Sequence, residues 1–149
     1  MKELKNTKTK FYILRPHNVY GPNMGNDHVL PELIKKLKKS KKFIKIVGDG
    51  NSSRSFIYIS DAVNAILSVV SRGKKNEIYN IGRQDEHKVK NIVNILSKIM
   101  KKKVKIIEGA KHKGSVSRRV PDTSKLKFLK HKNSISFKRG LSEMVKFYN

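Results

Sequence analysis

The chain has 149 residues, 37% of them hydrophobic, and a formal charge of +24 from 35 Lys and Arg against 11 Asp and Glu. That length makes one domain, or a piece of a larger one, with a modest core. With no cysteine there is no disulfide, thiolate metal site or cysteine nucleophile, and no apolar run approaches the roughly 20 residues of a membrane span.

The start, Met1 to Lys10, is basic but is followed by no apolar signal-peptide core, so the expectation is a cytoplasmic protein with no membrane partner. The charge on its own points to nucleic acid or a membrane surface. Three features weigh against nucleic acid. Arginine supplies seven of the 35 basic residues, so the guanidinium forks that read phosphates and guanines are scarce. The lysines fall on solvent faces of expected helices (Lys35, Lys36, Lys38, Lys39) and in turns (Lys74, Lys75, Lys101, Lys102, Lys103). No aromatic residues interleave with them as single-strand stacking requires. The charge still attracts anionic ligands at long range.

Lys10 to Arg15 (KFYILR) reads as a strand buried on both faces, ended by Pro16. His17 to Asp27 is a Gly-, Pro- and Asn-rich loop. Leu30, Leu33, Ile34 and Leu37 follow helical spacing, with Pro31 tolerated in the first turn. Phe43 to Val47 reads as a strand closed by Gly48-Asp49-Gly50, and Ser55 to Ile59 as another. Ser60 is a candidate N-cap, with Asp61 on the positive helix end. Ala62, Val63, Ile66, Leu67 and Val70 form the expected buried stripe of that helix.

Glu77 to Ile81 reads as a strand stopped by Gly82. Val89, Ile92, Val93, Leu96, Ile99 and Met100 give a regular helical stripe. Lys103 to Ile107 is a strand and Glu108 to Arg119 a polar loop. Asp122 can cap a short helix through Leu126 and Leu129. Ser136 can cap the last helix, with Phe137, Leu141, Val145 and Tyr148 in register. Alternating strands and helices argue an α/β fold.

Motifs carry the functional reading. Arg15-Pro16-His17-Asn18-Val19-Tyr20-Gly21-Pro22 is either a plain strand and turn, or a ligand loop at the C-terminal end of a strand with Asn18 donating to a phosphate or sugar oxygen. Met24-Gly25 and His28-Val29-Leu30-Pro31 follow. Then come Ile46-Val47-Gly48-Asp49-Gly50 with Arg54-Ser55-Phe56-Ile57-Tyr58-Ile59-Ser60-Asp61, Tyr79-Asn80-Ile81-Gly82, and Arg118-Arg119-Val120-Pro121-Asp122-Thr123-Ser124-Lys125. This ordered set resembles the NAD-dependent sugar-nucleotide epimerase/dehydratase family, the extended short-chain dehydrogenase/reductases, from about Lys10 to the end.

The resemblance implies the last elements of an NAD-binding Rossmann-like fold interleaved with the smaller C-terminal substrate-binding subdomain. The expected domain is residues 1–149, the C-terminal part, with the Gly-rich NAD-binding half missing. It implies that Asn18 bonds the diphosphate or sugar, and that His28 and Val29 lie near the diphosphate and nucleoside. Ile46 and Val47 lie along the base, and Arg54 clamps the diphosphate through charge-assisted bonds. Arg118 sits near another phosphate loop, with a solvated charge as its bland alternative. Val19 is a weak candidate for cofactor contact. Two departures stand out. His112-Lys113-Gly114-Ser115 replaces a common Arg-x-Gly-Asp element. Lys88 stands where Ser or Thr usually caps the next helix, at a cost of about 1 kcal/mol.

The family's redox chemistry needs a Gly-rich strand–turn–helix and a Tyr-x-x-x-Lys pair. Gly48-Asp49-Gly50 leads from a strand to a strand. Four residues after Tyr12, Tyr20, Tyr58 and Tyr79 stand Pro16, Met24, Ala62 and Arg83, and Tyr148 is next to the end. The histidines make no metal pair at helical spacing. The expectation is therefore a chain inactive alone that supplies the nucleotide-sugar pocket, while NAD belongs to the intact family enzyme and is not expected to bind this chain by itself. Expected partners are a nucleoside-diphosphate sugar and a separately encoded N-terminal half, with homodimerisation in the intact family. The alternatives are a non-catalytic nucleotide-sugar-binding remnant and a basic nucleic-acid binder.

Overall fold

The computed structural model describes residues 8–110, 114 and 116–148. In chain order its elements are β1 Tyr12–Pro16, β2 Val19–Tyr20, α1 Val29–Lys39, β3 Phe43–Ile46, β4 Ser53–Ser55, β5 Ile57–Tyr58, α2 Ile59–Arg72, β6 Glu77–Ile81, β7 Glu86–Lys88, α3 Val89–Ile99, β8 Lys105–Glu108, β9 Arg118–Arg119, α4 Ser124–Phe128 and α5 Phe137–Tyr148. The fold is α/β, and its strand pairs are mostly parallel. β1 runs beside β6 from Tyr12↔Glu77 to Pro16↔Ile81, β2 beside β5, and β3 beside β8. β4 lies between antiparallel β7 and parallel β9.

Two apolar cores divide the work. The larger joins α1, α3 and α5 to β3 and a knot of aromatic rings. Leu30, Ile34 and Leu37 of α1 are fully buried, and each such side chain contributes roughly 1.5–3 kcal/mol. The dipole of α1 is complemented by Glu32 in its first turn and lysines in its last. Ser40 ends it, its amide and its hydroxyl both donating to the Lys36 carbonyl at 2.9 and 2.6 Å. β3 alternates, with Ile44 and Ile46 inward and Phe43 and Lys45 outward.

Tyr20 meets Phe56, Tyr58 and Phe137 edge-on at 6.0, 5.4 and 5.5 Å between ring centroids, and its hydroxyl donates to the Phe137 carbonyl at 3.4 Å. Burial pushes the Tyr20 phenol pKa upward, so the group stays protonated. The smaller core gathers Ala62, Ala65 and Val69 of α2 with Ile57, Tyr79, Ile81 and Leu126. Asp61 joins the two cores. Its carboxylate is fully buried and accepts the Ser134 and Ile135 amides at 2.9 and 3.1 Å.

Several expectations change. Pro16 ends β1 from within it, because the next donor, His17 N–H, still bonds the Ile81 carbonyl at 2.9 Å. The loop after it contains β2. The single strand expected over Ser55 to Ile59 is broken at Phe56, whose ring turns into the larger core. The following helix starts at Ile59, with Tyr58 at the N-cap and no side-chain cap. Ser60 therefore lies inside the first turn. Asp61 also stands in that turn, at the positive helix end as expected, and its carboxylate in addition holds the loop before α5.

The buried stripe of α2 also differs. Ala62 is buried as expected, but Val63, Leu67 and Val70 are 45%, 60% and 57% exposed. Buried Asp61, Ala65 and Val69 mark the covered face. Ser136 does cap α5, accepting the Arg139 amide at 3.3 Å. Asp122 accepts the Ser124 amide at 2.8 Å from one residue outside the cap position. Lys88 holds the N-cap of α3 with no side-chain bond. Instead, the Ser52 and Gly50 carbonyls accept the Val89 and Lys90 amides at 3.0 and 3.1 Å. His112, Lys113 and Ser115 lie outside the described residues. No helix among the described residues is long and apolar enough to cross a membrane.

Candidate functional site

One face of α1 presents Val29, Glu32, Leu33 and Lys36 at helical spacing of three and four. Together with Ile46 and Val47 at the end of β3, Ser52, Arg54 of β4 and Val89 of α3, it encloses a slot of about 130 Å³. Val29, Ile46, Val47 and Arg54 are thus brought together. The slot's lining mixes apolar Val29, Leu33, Ile46, Val47 and Val89 with polar Glu32, Lys36, Ser52 and Arg54. At this volume it encloses only part of an organic ligand, since whole ligand pockets run to about 300–1,000 Å³.

Arg54 is held by the loop before β9. Its Nη1 donates to the Ser53 and Ser117 carbonyls at 2.7 and 3.3 Å, and Nη2 to the Val116 carbonyl at 2.6 Å. A guanidinium has five N–H donors, so Nε–H and one N–H on Nη2 remain for a ligand. Burial first, and then the neighbouring Arg119 charge, lower the Arg54 pKa. Parallel pairing sets Arg54 against Arg119 and Ser53 against Arg118. Uncompensated cationic charge at a slot mouth favours an anion.

The other expected residues are placed elsewhere. Arg118 is exposed and bonds Glu86 through Nε at 2.9 Å. Glu86 also accepts the Ser53 hydroxyl, and that bond followed by Arg118 holds its carboxyl below the usual range. Asn18, left-handed at φ 44, donates from Nδ2 to the Ser55 carbonyl at 2.8 Å, and its own carbonyl accepts the Ile57 amide at 3.2 Å. It braces the strand break next to Arg54, with one amide N–H and its Oδ1 left over. His28 is exposed at the N-cap of α1 and does not line the slot. Val19 packs against the smaller core.

Lys36 is a correction. Expected on a solvent face, it lines the slot and pairs with Glu32 at 2.6 Å. Its spacing from Val29 and Leu33 is the signal that places it there. Arg119, beside Arg54, is the other cation whose part emerges only from the strand pairing. Among the described residues no cluster of His, Cys, Asp and Glu could hold a metal.

Parallel strands whose C-terminal ends open into loops carrying Asn18 and the β3–Arg54 slot define an α/β protein that gathers its polar side chains at strand ends. This chain belongs to the NAD dependent epimerase/dehydratase family, whose model matches residues 2–82. It is similar to human dTDP-D-glucose 4,6-dehydratase, 39% identical over 89 residues, which is 60% of this chain and 25% of that protein. An uncharacterized UDP-glucose epimerase, YtcB, of Bacillus subtilis is 34% identical over 137 residues, covering 91% of this chain and 43% of the relative.

Among solved structures, UDP-glucuronic acid 4-epimerase from Bacillus cereus, in complex with UDP-glucuronic acid and NAD, superposes with a TM-score of 0.85 at 28% identity, covering 97% of this chain and 46% of the other. UDP-glucose 4-epimerase from Thermotoga maritima, with UDP-glucose, gives 0.85 at 26% identity, covering 97% and 47%. The chain spans less than half the length of the relatives it matches. The intact enzymes of this family use NAD.

Proposed function

We propose that this chain is the nucleotide-sugar-binding portion of an NAD-dependent nucleotide-sugar epimerase or dehydratase, an enzyme that oxidises C4 of a nucleoside-diphosphate hexose. The observation that carries the reading is the Arg54 slot. Its apolar walls accept a base, the Val47 edge offers backbone groups to read it, and the open edge of Arg54 can fork across two diphosphate oxygens. Arg119 adds charge beside Arg54, the Lys36 charge being met by Glu32, and Asn18 offers its remaining amide donor to the sugar or phosphate.

The glycine turn after β3 does not fit the pyrophosphate of NAD. Gly48 and Gly50, left-handed at φ 65 and 71, turn β3 toward β4 and not into a helix, so they cannot seat a pyrophosphate on a helix N-terminus. The chain's own chemistry in this reading is binding and orientation. Two features favour a partnered chain over a free-standing binding remnant. β1 pairs only with β6 among the described strands, and a two-stranded parallel sheet is a poor stand-alone unit. Ile59, Val63, Leu67 and Val70 also run exposed along α2, a patch that another apolar surface would cover. A complementary, separately supplied half would provide NAD and the proton-transfer pair.

Calorimetric titration with UDP and dTDP at two salt concentrations tests the binding role. Arg54→Ala should weaken binding about ten- to a hundredfold, from the loss of charge-assisted bonds of roughly 1.5–3 kcal/mol, and Arg54→Lys should restore only part. Equal affinities for Arg54→Ala and wild type would refute the site. Because Lys36 lines the slot, the matched control is an exposed lysine elsewhere, Lys130.

A further inference from the structure

The lysines are not spread evenly over the fold. Residues 33–48 hold seven lysines and no acid, and so do residues 87–107. The β3–β8 pairing lays these two runs side by side, with Phe43 opposite Lys105. Between them lies a hollow of about 630 Å³ walled by Lys42, Lys98, Lys102, Lys103 and Lys105, with Asn94 and Ser97. A second hollow, of about 610 Å³, continues it toward Lys36, Lys39 and Lys41.

Phe43 stands where the two hollows meet, lining both and 53% exposed. The expectation that no aromatic ring interleaves with the lysines fails at this residue. Lys102 is fixed in place, its ammonium donating to the Lys38 and Ser40 carbonyls at 3.3 and 3.4 Å. The Ser97 hydroxyl, in the wall of the first hollow, is buried without a hydrogen-bond partner.

We infer that the double hollow across Phe43 binds single-stranded nucleic acid, the phosphodiester chain following the lysines and a base stacking on the Phe43 ring. Lysine suits this role because backbone neutralisation needs charge and not a fork. The exposed ring supplies the sequence-tolerant contact that such sites use. Both hollows are wide and shallow, and vesicles are therefore a competing ligand in the test. Lys36 lines both the second hollow and the Arg54 slot, but Lys42, Phe43 and Lys105 lie outside that slot.

The test is fluorescence anisotropy of the full chain with a labelled oligothymidylate of about 12 nucleotides, within the size of one such site. Inorganic polyphosphate and phosphatidylserine-containing vesicles are run in parallel. Phe43→Ala should weaken oligothymidylate binding about five- to tenfold and leave polyphosphate binding unchanged, while Phe43→Tyr binds as wild type. The double variant Lys42→Gln with Lys105→Gln should flatten the log–log salt slope by about 1.4, near 0.7 for each phosphate no longer neutralised. Lys127→Gln with Lys130→Gln, the same change of net charge beside the smaller core, should leave the slope near wild type. Equal effects of the two double variants would mean diffuse attraction and overturn the site. So would an unchanged affinity in Phe43→Ala, or capture by vesicles at concentrations where the oligonucleotide stays free.

Discussion

Replacing Asp61 should destabilise this chain measurably. The carboxylate is fully buried and accepts the Ser134 and Ile135 amides at 2.9 and 3.1 Å. Those amides belong to the segment that delivers α5 to the larger core, whereas Asp61 itself stands on α2 against the smaller one. Asp61→Ala takes the acceptor from two part-buried amides, and water can reach the one on exposed Ser134, so the loss is roughly 1–3 kcal/mol. A domain of this kind has only about 5–15 kcal/mol in total. Asp61→Asn keeps the shape but turns one acceptor into a donor, so its loss should be about half as large. Urea unfolding reads this directly: a loss of ~2 kcal/mol moves the midpoint by about 1 M. If both variants stay within ~0.5 kcal/mol of wild type, water or a shifted loop satisfies the amides and the tie between the cores is not structural.

Gly140→Ala should lower the thermal midpoint by several degrees. An added Cβ would fall 2.7 and 2.8 Å from Cζ and Cε2 of Tyr20, a ring already hemmed in by Phe56, Tyr58 and Phe137, and overpacking of this kind costs about 1–3 kcal/mol. A raised midpoint would show that Tyr20 moves aside and helix propensity wins. The depressed pKa of Glu86 means that its bonds to Ser53 and Arg118 stabilise the fold above the ordinary Glu value of about 4.3. That stabilisation is lost as pH falls through the lower folded value. Glu86→Gln should therefore flatten the acid limb of a stability-versus-pH curve below about pH 4.3, and an unchanged limb would count against the pairing. Leu67→Glu, on the exposed stripe of α2, should change the chain's own stability by no more than about 0.5 kcal/mol yet reduce self-association in sedimentation velocity. A large loss of stability would mean that the stripe is already covered.

Local pattern made part of this fold legible. The stripes of α1 and α3, β6 with its stop, and the Ser136 cap are all short-range features, and they form as the spacing predicts. The misreadings occur where a distant contact decides. Phe56 breaks a strand because the aromatic knot around Tyr20 draws its ring inward. Asp61 is the helix-end charge the pattern suggests, but its second role appears only when the chain returns 73 residues later to meet it. The stripe of α2 is apolar on more than one side, and periodicity alone does not say which side this chain covers. At the site, Val29, Ile46, Val47 and Arg54 came from motif resemblance and converge in one slot. Lys36 and Arg119 enter through helix phase and strand register, which no short motif encodes.

The central claim is that the Arg54 slot takes a nucleoside diphosphate. Amide chemical-shift mapping of the isotopically labelled chain, titrated with UDP-glucose and dTDP-glucose, tests it most directly. The account predicts saturable shifts concentrated at Val47, Ser52, Arg54 and Arg119, with Arg54→Ala removing them. Shifts confined to the lysines around Phe43, or a response identical for inorganic pyrophosphate and the nucleotide sugars, would contradict it.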